Sequence, residues 1–191
     1  MKYGDDYKKI ILLAYPVILS NAIDTIMMMV DRLFLARVGN TAEVTLGGAM
    51  GGGVIAWLMQ APILGLLQYT NAMASQNFGR GHLPRCAQVT SQSMYWALLY
   101  YPLLLGLSQF IPMIFAAIGH DPDLAAAEWS YSRILLIGSI FALLRIPLNS
   151  FFIASNRSNL VMKISFLGLL LNIPLNYWFI FNVPLRLGTW V

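Results

Sequence analysis

From Val44 to Gly79 the chain carries no charged residue. About 20 largely apolar residues are enough to cross the hydrocarbon core of a bilayer as a helix, so a run of this length dictates what the chain can fold into. Stretches of the same kind recur along the sequence, roughly at 9–38, 44–77, 87–111, 126–154 and 160–182. They are too long and too continuous for the apolar–polar alternation of a half-buried strand. Composition agrees: 58% of the residues are hydrophobic and only 10% charged, with a mean hydropathy of +0.66, outside the range of a soluble domain. The expected fold class is therefore an all-α membrane protein, a polytopic bundle of five transmembrane helices embedded in the lipid bilayer.

The charges that remain exclude several other classes. The 12 Lys and Arg exceed the 8 Asp and Glu, but they are scattered in ones and twos between apolar blocks, which gives no basic face for a nucleic acid. Cys86 is the only cysteine, so there is no internal disulfide and no cysteine metal framework; it reads as a packing residue. His82 and His120 fall in links on opposite sides of the membrane, too far apart to share a metal or to serve one nucleophile. No catalytic residue and no metal site is expected. The first apolar run is expected to be a retained transmembrane helix rather than a cleaved signal, since Asp5 and Asp6 sit among its lysines and the apolar run resumes after Asp24. Orientation follows from the Lys and Arg of the connecting segments. Lys2, Lys8 and Lys9, then Arg80 and Arg85, then Arg157 and Lys163 alternate with segments holding Arg37, none, and Arg186. The N-terminus is thereby expected in the cytoplasm of a cell whose plasma (inner) membrane holds the chain, with "IGHDPDLAAAEW", Ile118 to Trp129, outside.

Polar residues within the apolar runs call for a reason, because a charge near the bilayer centre costs about 2.5–3.5 kcal/mol on insertion scales and normally faces a bundle interior or a wet cavity. "MMMVDRLFL", Met27 to Leu35, holds Asp31 and Arg32. Asp24 lies seven residues before Asp31, nearly two turns, so the two carboxylates share a stripe of the first helix, while Arg32 points elsewhere. Asp31 is either a functional carboxylate, or one half of an ion pair with Arg133 or Arg145 of the fourth helix, or close enough to the outer interface to be wet. In "LLLNIPLNYWFIFN", Leu169 to Asn182, Asn172 and Asn176 are four apart on one face, and Pro174 between them leaves the carbonyl of Leu170 without its helical donor. Such oxygens line cation or proton sites in transporter helices; Asn side chains also join helices by hydrogen bonds. "GGAMGGG", Gly47 to Gly53, sets glycines four apart in two adjacent rows and is expected to be a packing face. "NFGRGH", Asn77 to His82, follows a helix rather than a strand, which makes it a tight turn and not a phosphate loop. Pro16, Pro62, Pro102 and Pro147 permit bends within the other spans.

Three segments taken in order resemble the multidrug and toxic compound extrusion (MATE) family: "YPVILSNAIDTIMMMVDRLFLARVG" its opening helix, "ASQNFGRGH" the Gly-containing turn after its second helix, and "SNRSNLVMKISFLGLLLNIPLNYWFIFN" its fourth-to-fifth link and fifth helix. The likeness covers essentially the whole chain. It implies a secondary antiporter that exports cationic or amphipathic xenobiotics against inward flow of protons or sodium. Asp31 would be the acidic coupling residue of the N-terminal lobe and Asn172 and Asn176 its partners; Asp24, which is unusual beside the family's motif, Pro174 and Arg145 are secondary candidates on the residues alone. A carboxylate in a low-dielectric cavity holds a proton more readily than one in water, which suits it to exchange. Apart from the coupling ion, H+ or Na+, no cofactor is implied. The family fold has twelve helices in two lobes. Five helices make most of the first lobe, so the resemblance implies that the remaining helices, or a second chain, are needed for a complete transporter. A flippase of lipids or lipid-linked oligosaccharides from the same superfamily, and a non-transporting membrane remnant, are the alternatives; Arg32, Arg133 and Arg145 would suit the phosphate of the former.

Overall fold

The computed structural model describes residues 3–37 and 42–179. Among these every regular element is a helix: α1 (Tyr3–Leu35), α2 (Ala42–Gly79), α3 (Leu83–Ser108), α4 (Ile111–Ile118), α5 (Pro122–Ala154) and α6 (Ser158–Tyr177). Three described segments, Gly47–Gly79, Pro122–Ala154 and Ser158–Tyr177, are each long and apolar enough to cross a membrane, and α3 and α4, bent by 45° at their junction, reach that length and apolarity together, so the described residues hold three such spans, or four where the bent pair counts as one, against the five expected. α1, with 33 residues, matches α5 in length.

The chain departs from the sequence expectation at several boundaries. The third apolar run does not stop near Ile111. It breaks at Gln109 and Phe110 and resumes as α4, because Pro112 offers no N–H to the last turn of α3 and its ring crowds the carbonyl four residues back. The segment from Ile118 to Trp129, expected on the outer side between two apolar runs, holds a link of only three residues, and helix α5 starts at Pro122 behind the N-cap Asp121, whose carboxylate accepts from the N–H of Asp123 at 3.0 Å. The stretches 38–41 and 180–191, with Val38 and Asn182 of the expected spans, lie outside the described residues.

Three helix ends close in the same way. After α2, α4 and α5 the chain passes through a left-handed residue, Gly81, Gly119 or Asn156. The N–H of the residue after it then reaches back five residues: His82 to Asn77 at 3.0 Å, His120 to Phe115 at 3.3 Å, and Arg157 to Phe152 at 2.8 Å. This pairing satisfies the orphan carbonyls of the final turn, and "NFGRGH" is indeed a tight turn of this kind.

α2 packs most extensively on α5, α3 fills in against both, and α1 packs chiefly on α6. The α2–α5 contact follows from the glycine rows. A β-carbon added at Gly48 would stand 2.9 Å from Ala127 Cβ, and one at Gly52 only 2.5 Å from the Glu128 carbonyl oxygen. The two helices run side by side with backbones nearly touching, as small residues permit in a membrane. Behind this seam lies the core, with Leu67, Leu104, Ile111, Leu136 and Leu143 fully buried. Tyr100 and Tyr101 of α3 tie it together by donating to the carbonyls of Met59 on α2 at 2.8 Å and Ile137 on α5 at 2.6 Å. The molecule thus consists of an α2–α3–α4–α5 body and an α1–α6 pair laid along it.

Candidate ion-coupling site

The inward stripe of α1 reads Pro16, Ser20, Ile23, Met27, Val30 and Phe34, buried or half-buried at helical spacing, with Asp24 and Asp31 half-buried on its flank. Ser20 Oγ lies 2.8 Å from Ser165 Oγ of α6 and fixes the register of the pair. In the C-terminal half of α6, Asn172 and Asn176 are half-buried, whereas Ile173, Pro174, Leu175 and Tyr177 are exposed. The two amides therefore face α1.

Asp31 meets them there. Asn176 Nδ2 donates to Asp31 Oδ1 and to Asn172 Oδ1, the latter at 3.1 Å. Both N–H groups of Asn176 are thereby committed, one to the carboxylate and one to the amide oxygen of Asn172. The oxygens that Asn176 links, those of Asp31 and Asn172, are of the hard kind that takes a proton or a cation. Asp31 thus sits in the seam between α1 and α6. Arg32 is exposed on another side of its helix.

The remaining candidates separate. Arg145 does not pair with Asp31; its guanidinium meets Asp24, with Nη2 3.2 Å from Oδ2. Arg133 is exposed and forms no ion pair among the described residues. α6 continues through Pro174 without a break and widens into a π-type turn only at Trp178 and Phe179. The proline ring projects away from the amides, outside their cluster.

One polar group escapes the sequence reading. Glu128 is 2% exposed, wedged into the space that Gly51 leaves open, and its Oε2 is 2.7 Å from His120 Nδ1. His120 also stacks on Phe115 at 5.6 Å, the contact that accompanies this type of helix cap. The glycine rows were the available signal, since they leave a hole that some side chain must fill.

A family model described as MatE matches residues 16–178. Among curated proteins, the multidrug resistance protein MdtK of Edwardsiella ictaluri is 30% identical over 192 residues, which cover 95% of this chain and 39% of that protein. PmpM of Pseudomonas aeruginosa, also named a multidrug resistance protein, is 27% identical over 93% of this chain and 37% of its own length. A probable multidrug resistance protein NorM from Pasteurella multocida is 29% identical, with 94% and 38% covered. The chain thus spans about two fifths of the length of these relatives. Among solved structures, a MOP superfamily transporter from Pyrococcus furiosus superposes with a TM-score of 0.78 at 20% identity, covering 91% of this chain and 38% of that one; the likeness is one of fold.

Proposed function

The chain belongs to the MatE family and is a multi-pass membrane protein, and from that premise we propose that it forms the first part of a secondary exporter in which Asp31, Asn172 and Asn176 couple ion entry to drug exit. The observation that carries the reading is the Asp31–Asn176–Asn172 chain of hydrogen bonds between α1 and α6. A carboxylate on a membrane helix is costly to keep as a bare charge, so a bound proton or sodium ion relieves it, and a cationic substrate competes for the same charge. Whichever binds displaces the other, and exchange follows. Relatives named as multidrug resistance proteins support small xenobiotics as cargo. The Lys and Arg of the links at the N-terminal end support a cytoplasmic N-terminus in the plasma membrane.

The flippase alternative called for free cations to hold phosphate. Arg145 is engaged by Asp24, which weakens that reading.

The test is accumulation of a fluorescent cationic dye in cells that express the chain alone, or joined to the remaining helices of a relative, each with and without Asp31→Asn. Reduced retention that D31N restores to the empty-vector level is the expected result. Equal efflux with and without D31N in the joined protein sinks the assignment of Asp31.

A further inference from the structure

Two carboxylates on one stripe of α1 have unlike neighbours. Asp24 receives three N–H contacts from Arg145 of α5, at 3.4, 3.2 and 3.2 Å. Asp31, about 10 Å further along the helix at 1.5 Å per residue, receives its hydrogen bond from an amide of α6. The other charged groups near α1 do not change this division. Lys163 of α6 lines a small cavity with Leu19 and Ile23 but is in no ion pair among the described residues. Arg133 of α5 is likewise unpaired, Arg32 projects from another side of α1, and Gly47–Gly79 of α2 holds no charge. Glu128 is occupied by His120.

Two bare carboxylates on one stripe of a membrane helix repel each other and are each costly to keep charged. An arginine beside one of them removes both penalties for that residue alone, and it does so in every state, because a guanidinium does not give up its proton in a protein. We infer that Arg145 is a positioning residue that withdraws Asp24 from ion exchange and leaves Asp31 as the single exchangeable carboxylate of this half. The inference rests on the reading of Asp31 as the coupling group and deepens it: one ion is handled here per cycle, not two. It also gives Arg145 a mechanical part, because the pair is the ion pair among the described residues that ties the α1–α6 pair to the body.

Dicyclohexylcarbodiimide tests this without any need for transport, since the apolar reagent adds to carboxyl groups that carry a proton. The purified chain in detergent micelles is treated with it, and the adducts are mapped by mass spectrometry. In the unaltered protein the label should fall on Asp31 and not on Asp24. Arg145→Gln should raise labelling of Asp24 from background to the level of Asp31, Arg145→Lys should leave it near background, and D24N/R145Q should return the pattern to Asp31 alone. Glu128, buried in the body, reports folding: where R145Q labels it as well, the comparison of R145K with the unaltered protein decides. Label on Asp24 in the unaltered protein equal to that on Asp31, or no gain at Asp24 in a folded R145Q, overturns the role of Arg145. Label absent from Asp31 throughout, with Asp24 still responding to Arg145, instead removes Asp31 as the coupling group.

Discussion

Glycines 51, 52 and 65 lie on one helix and face three different surroundings. A β-carbon at Gly52 would meet the backbone of Glu128 and Ser132, at 2.5 and 3.2 Å, and neither can move without shifting α5. At Gly51 it would overlap the Glu128 carboxylate at 1.8 Å, which can yield only by leaving His120. At Gly65 it would meet nothing within 4 Å. Thermal unfolding in detergent should therefore rank the alanine variants. Gly52→Ala should be the most destabilised and Gly51→Ala next, both by roughly the 1–3 kcal/mol of an overpacked core. Gly65→Ala should be neutral or up to about 1 kcal/mol more stable, through the helical preference of alanine. Equal losses at all three positions would mean that the rows are not a seam. Residues of this scale were legible in part. Asp31, Asn172 and Asn176 stood out because polarity in an apolar run is conspicuous. Glu128 did not, because it follows the aspartates of a surface link, and the glycines that receive it belong to another helix. The sequence shows a row of glycines but not which helix lies against it.

Between α1 and α6 the hydrogen bonds form a chain with Asn176 at its centre. Truncating Asn176 removes both of its donated bonds and strands Asp31, whereas truncating Asn172 removes one acceptor and leaves Asn176 with Asp31. In the dye assay on the joined protein, Asn176→Ala should approach the loss caused by D31N and Asn172→Ala should fall between. The double variant D31N/N176A should be no worse than either single variant, because residues that act as a unit are not additive. Additive losses would show that α6 acts apart from Asp31. The helices themselves were legible as apolar runs, but their breaks were not. α6 runs on through Pro174 to Tyr177, whereas Pro112, inside a run that stays apolar, ends α3 and tilts α4 by 45°. A proline removes one donor wherever it stands. Whether the helix bends or continues depends on the neighbours that hold the two sides in line, and those are tertiary.

At the scale of the molecule, the α2–α3–α4–α5 body and the α1–α6 pair are held by different means. The body has a close-packed core with Leu67, Leu104, Leu136 and Leu143 at 0% exposure. The pair rests on small contacts such as Ser20 with Ser165, of a kind worth about 0.6 kcal/mol in membranes, and on the reach of Arg145 to Asp24. The order of the helices was visible in the sequence, but this division was not. Faces that meet lipid and faces that meet protein are equally apolar in a membrane, so α2 and α5 show no stripe from which a partner could be read. The division predicts how damage spreads. Leu143→Ala should cost roughly 2–5 kcal/mol, as for other leucines removed from a close-packed site, and hydrogen exchange in micelles should accelerate across α2, α3 and α5 together. Ser20→Ala should speed exchange in α1 and α6 and leave the other helices as they were. Acceleration of all six helices by either variant would identify a single cooperative unit. If the two respond separately, Asp31 stands on the segment with the lower opening cost. The proposed exchange, in which one carboxylate faces each side of the membrane in turn, would then be served by a segment that shifts against the body without unpacking its core.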